Sequence, residues 1–254
     1  MNFKKILLGV IVVVILYLVY VYVFSDTTSS VLYSGGNAKV PKKVPATQLP
    51  ANKQSVNFTF SIWIYVNNWQ YRYGVEKVIY RRSDDSGTNS SISPQVSLGA
   101  ATNQLAITID TCPATGVTGT QNTCPSTPNS WTVNNIPIQK WCNIIVSTNN
   151  RAVDTYIDGK LVNTHVLINV PKMNKNAPIY VTPDGGFSGN TSKFRYIART
   201  ISPREAYEIY REGPGGNWLS DLLNQYKLKL YYYKKMDNIF KNIADFYDRQ
   251  KKGQ

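Results

Sequence analysis

Carboxylates, one histidine and three cysteines are the groups in this chain that could do covalent or metal chemistry. Their spacing argues against most of it. The glutamates are Glu76, Glu205, Glu208 and Glu212, and the last three fall at helical spacing, as on the surface of one helix. Asp154 and Asp158 are four apart and share a strand face, but Asp158 opens an Asp-Gly pair, which is turn chemistry. With His165 as the only histidine, the sequence points to no Ser-His-Asp arrangement. Neither a G-x-G-x-x-G loop nor a Walker loop occurs, so catalytic residues are expected to be none. Cys112 and Cys124 flank a Thr/Gly/Pro-rich stretch with Cys-Pro at both ends. A disulfide between them would close a loop of about a dozen residues and contribute around 3 kcal/mol in the chain-entropy picture. Cys142, between Trp141 and Asn143, reads as a buried free thiol. No His stands near the first two cysteines, so zinc spacing is missing.

The elements that must position these groups are strands. Trp141 to Val162, WCNIIVSTNNRAVDTYIDGKLV, alternates apolar and polar residues and is broken at Asn149-Asn150 and Asp158-Gly159. Tight hairpin turns need positive φ, which Asn, Asp and Gly adopt at low cost. Three antiparallel strands are therefore expected here. In Phe58 to Tyr65, residues Phe58, Phe60, Ile62 and Ile64 share one face.

The tryptophan-led strand followed by Y-x-D-G-K resembles the signature of laminin-G-like domains of the concanavalin A-like lectin/glucanase superfamily. Phe58–Tyr65 resembles the family's early core strand. Phe187-Ser-Gly189 with Lys193–Ile197 resembles its last strand, and Ile201–Tyr210 its following short helix. The resemblance covers residues 55–212 and implies a mainly β fold, an antiparallel jelly-roll β-sandwich. Catalytic relatives carry paired carboxylates in the pattern E-x-D-x-x-E, which puts acid and nucleophile on one strand face. That pattern is missing from this sequence. Laminin-G-like domains often hold one Ca²⁺ at the rim, which makes Asp84, Asp85 and Asp184 weak candidate ligands beside turn glycines. No other cofactor is implied. For a lectin-like module, Trp69, Tyr71, Tyr73 and Trp131 are the candidate glycan-stacking rings.

Outside the sandwich, residues 1–5 form a short basic tail and residues 6–24 a charge-free apolar run. At 1.5 Å per residue that run is about 28 Å long, close to the thickness of a bilayer's hydrocarbon. Lys4 and Lys5 before it, and Tyr17, Tyr20 and Tyr22 at its far end, predict an uncleaved single-pass anchor with the rest of the chain on the non-cytosolic side. Residues 25–54, rich in Ser, Thr, Gly and Pro, read as a stalk, with a candidate edge strand near Val31–Tyr33. Sequons at Asn57, Asn89 and Asn190 would become glycosylation sites in a secretory lumen. Residues 217–252 lack Pro and Gly and predict an amphipathic helical arm, with Leu223, Tyr226, Leu230, Tyr233, Phe240 and Tyr247 along a stripe suited to a partner.

The formal net charge is +13, spread along the chain. It suits an anionic partner such as lipid head groups, acidic glycans or an acidic protein. With no recognition helix, zinc finger or RNA-binding aromatic motif, nucleic acid is not an expected partner. Two readings follow. One is a membrane-anchored structural protein that links a protein layer to membrane lipid. The Tyr/Asn/Lys-rich texture resembles structural proteins of large DNA viruses, minor capsid proteins among them, so other structural or capsid proteins would be its partners. The other is a membrane-anchored lectin-like module whose partner is a glycan. The exposure of the aromatic rings discriminates between them.

Overall fold

The computed structural model describes residues 12–13, 15–16, 28–50, 56–83, 91–112, 124–174 and 176–215. Residues 12–13 and 15–16 are helical. Among the described residues no helix is long and apolar enough to cross a membrane, and most of the expected anchor lies outside them. The arm residues Leu223, Tyr226, Leu230, Tyr233, Phe240 and Tyr247 lie outside the described residues, as do Asp84, Asp85 and Asn89.

Two antiparallel sheets pack face to face. The first is ordered β1 (Ser29–Asn37), β13 (Ser188–Ile197), β3 (Phe58–Asn68), β8 (Trp141–Asn149), β9 (Ala152–Ile157) and β10 (Lys160–Val166). The second is ordered β11 (Val170–Pro171), β6 (Leu105–Cys112), β5 (Ile92–Leu98), β4 (Lys77–Ser83), β12 (Ile179–Val181) and β2 (Lys42–Val44), with β7 (Thr127–Val133) also paired to β6. The expected jelly-roll sandwich is the observed fold. Asn150, Asp158 and Gly159 have φ values of 54°, 50° and 74°, the left-handed turns that the sequence predicts.

The expected stalk needs correction. Residues 29–44 supply β1 and β2, and Ala46–Gln48 form a 3-10 turn, so the sandwich begins at Ser29 and not at residue 55. β1 runs along β13 from Ser29↔Ile197 to Asn37↔Asn190, with Leu32 and Tyr33 packed on the core. Its Ser/Gly composition reads as a linker because an edge strand needs few apolar residues. Gly35 is there because the β13 backbone at Thr191 and Ser192 lies where a side chain would stand.

Period-two alternation sends Phe58, Phe60, Ile62 and Ile64 into the space between the sheets. There Phe60 meets Tyr80, Phe194 and Tyr196 at ring separations of 5.3, 5.9 and 4.9 Å. On the outer face of the first sheet, Ile145, Tyr156 and Ile197 pack with Ile201, Ala206 and Ile209. The last two belong to α1 (Pro203–Arg211). The Ser202 hydroxyl accepts the Glu205 N–H at 3.2 Å, and Pro203 follows the cap, so Ser-Pro-Arg-Glu specifies where α1 starts. Trp63 lies under this helix and stacks on Tyr210 at 5.6 Å. Residues 212–254 form a separate unit, of which 212–215 are described.

Candidate functional site

Strand register builds a polar row across the outer face of the second sheet. Tyr180 lies between Val181 and Ile179, whose side chains enter the core, so its ring points outward. Its cross-strand neighbours are Lys43 on β2 and Arg81 on β4. Beyond Arg81 the register continues through Gln95, Thr108 and Ser130. With strands ~4.8 Å apart, this six-residue row spans about 24 Å. Lys43 Nζ lies 5.1 Å from the Tyr180 ring centroid, and the Arg81 guanidinium carbon lies 5.8 Å from it. The Thr108 and Ser130 hydroxyls are hydrogen-bonded at 2.9 Å. One end of the row is cationic and aromatic, and the other offers hydroxyls and an amide.

A second cation-aromatic pair lies at the sheet end reached by the β3–β4 connection. Lys39 Nζ is 4.5 Å from the Tyr71 ring centroid, and Tyr71 donates to the Gly185 carbonyl at 3.1 Å. Arg72 donates to the Gly186 carbonyl at 3.1 Å. Asp184, with φ of 57°, lies 3.5 Å from Arg81. The carboxylate weighed as a calcium ligand is thus an ion-pair partner, and the described residues hold no cluster of metal-ligating side chains around it.

The four rings singled out in the sequence fall in two places. Trp69, Tyr71 and Tyr73 share the β3–β4 connection, whereas Trp131 is on β7. Tyr73 is 59% exposed. Trp69 packs on the core, and Lys77 Nζ covers its ring at 4.9 Å. Burial, and then the neighbouring Arg72, push the Lys77 ammonium below its ordinary range. Trp131 also packs on the core, and one face of its ring is occupied by His165 at 4.3 Å. Neither tryptophan offers a free platform. Sequence reasoning missed Tyr180. The apolar residues on either side signal its outward orientation, but its two cations come from other strands.

The Cys112–Cys124 bridge is formed, and Cys142 is free and buried. Burial first, with Asp158 second, raises the Cys142 thiol well above its ordinary value. Of the sequons, Asn190 is exposed on β13, while the Asn57 side chain accepts the Asn150 N–H at 2.7 Å and so fixes a hairpin turn.

The sequence matches the family described as Concanavalin A-like lectin/glucanases superfamily over residues 34–206. The chain belongs to this superfamily. Among solved structures, a mutant of HCR/D is similar at 12% identity and a TM-score of 0.52, covering 72% of this chain and 43% of that one. The ligand-binding domain of botulinum neurotoxin serotype D in complex with N-acetylneuraminic acid is similar at 15% identity and a TM-score of 0.50, covering 72% and 41%. This chain therefore spans about two fifths of the length of those structures, and the likeness is one of fold. No curated protein matches the sequence.

Proposed function

We propose that this chain is a non-enzymatic, membrane-anchored, lectin-like module that binds an acidic glycan on the outer face of its second sheet. The observation that carries the reading is the row in which Tyr180 stands between Lys43 and Arg81 and continues into Gln95, Thr108 and Ser130. A sugar ring has an apolar face that stacks on an aromatic side chain and hydroxyls that pair with amides and hydroxyls. A carboxylate or sulfate on that sugar pairs with Lys43 and with Arg81, which also holds Asp184 at 3.5 Å. The net charge of +13 adds long-range attraction for the same ligands.

The positions of three described glutamates support a non-enzymatic role. Glu205 is paired with Arg199, Glu208 with Arg204, and Glu76 accepts from Ser97. These are scattered structural contacts, not two carboxylates flanking one groove. The alternative, a linker between membrane and capsid layer, draws on the expected arm at 217–252, outside the described residues.

The test is titration of the full chain with a sialylated oligosaccharide and its desialylated counterpart. Arg81→Ala and Tyr180→Ala should each weaken binding of the acidic form about tenfold, or about 1.4 kcal/mol. Added salt should weaken it further. Equal binding of both oligosaccharides, or of neither, would sink the reading.

A further inference from the structure

Between β7 of the second sheet and β10 of the first, the two inner faces leave a gap at the side of the sandwich. Register explains its lining. Val133 pairs with core residue Leu105, so it points inward. Asn163 pairs with Thr155 and His165 with Val153, so both point inward from β10. The β9–β10 register shifts between Leu161 and Asn163, and this irregularity places Val162 against the gap as well. The result is a pocket of about 340 Å³, at the small end of the range for small-molecule sites. Val133, Ile157 and Val162 form its apolar walls, and Asn134, Asn135 and Asn163 supply amides.

One buried atom points to a ligand. Asn163 Oδ1 is buried with no hydrogen-bond partner among the described residues. Buried polar atoms are ordinarily paired, so an acceptor left open beside a pocket this size calls for a donor. Asn135, held at a φ of 61°, lines the same pocket.

We infer that this pocket is a second site, which takes one uncharged sugar ring. No charged side chain lines it among the described residues, although the chain as a whole carries +13. An anionic ligand would find no counter-charge, and a purely apolar one would leave the amides unpaired. A pyranose offers an apolar face to the valines and hydroxyl edges to Asn134, Asn135 and Asn163. This site uses none of the residues of the cationic row, so it stands or falls separately from the acidic-glycan reading.

Equilibrium dialysis of the full chain against labelled methyl glycosides tests it. The probes are neutral hexosides, N-acetylhexosaminides and, for contrast, a methyl sialoside. At least one neutral glycoside should be retained at millimolar concentration. Val162→Trp, which fills the pocket from a side chain 46% exposed, should weaken that retention about tenfold. Asn163→Leu should do the same, and Arg81→Ala should leave it unchanged. Thermal unfolding of each variant checks that it is folded, and Asn163→Leu decides the matter if Val162→Trp is not. Failure of every neutral glycoside to bind, retention unaffected by both pocket variants, or loss of retention in Arg81→Ala would overturn the assignment.

Discussion

At Gly186 the backbone has a φ of 46°, and the Ala38 carbonyl oxygen stands where a side-chain carbon would be. The same glycine accepts from Arg72 and donates its N–H to the Pro183 carbonyl at 3.1 Å. A single residue thus joins the β1–β2 connection to the turn that carries Asp184. Gly186→Ala would add left-handed strain of about 1–2 kcal/mol and a steric clash with backbone that cannot rotate away. We expect a loss of about 2–4 kcal/mol in stability, read as a lower urea midpoint with an unchanged slope. An unchanged midpoint would show that the turn relaxes freely.

At the scale of elements, α1 acts as a lid on the first sheet. Strands β8, β9 and β13 present Ile145, Tyr156 and Ile197 on their outer face, and Ala206 and Ile209 cover them. Gly159 lies at the Asp-Gly turn, and the Tyr207 backbone and Tyr210 Cβ approach it so closely that a side chain there would collide with the helix. The helix is nine residues long, too short to be stable alone, so packing holds it. Truncating Ile209 removes a buried side chain from that contact. Ile209→Ala should cost about 2–4 kcal/mol and lower the thermal midpoint, with glycan binding at the folded state retained. A shift of under about 0.5 kcal/mol would mean that the helix contributes little to the sandwich.

At the scale of the whole molecule, burial of weak acids sets how stability responds to alkali. Burial pushes up the Cys142 thiol and the phenols of Tyr80, Tyr156 and Tyr196, with Tyr156 reaching about 12. In the unfolded chain the thiol ionises near its ordinary 9.0 and the phenols near 10.0. Above those values the unfolded state has released protons that the folded state keeps. It therefore binds fewer protons, and stability falls as pH rises. Lys77 and Arg82, whose cations burial holds below their ordinary 10.5 and 12.5, work in the opposite direction, two groups against four. Urea midpoints should hold steady near neutrality and fall progressively above about pH 9, and Cys142→Ala should flatten the first part of that fall. A midpoint that rises through this range would contradict the burial described here.

The sequence by itself determined the sandwich. Period-two alternation, paired turn residues and a Ser-Pro-Arg-Glu helix start are local signals, and each needs only neighbouring residues to be read. It also determined the Cys112–Cys124 pair, because both ends of that loop are close in the chain. Only the tertiary structure decided where the sandwich begins, since β1 is held by Ile197 to Asn190, far away in sequence. The same holds for the two proposed sites. Lys43, Arg81 and Tyr180 become one row through the register of three strands that the sequence keeps apart. Trp131 stands as a candidate stacking ring in the sequence, and only β10, by bringing His165 against it, decides the matter. Which face a residue occupies is written in its own strand, whereas which residues share that face depends on pairing across the sheet.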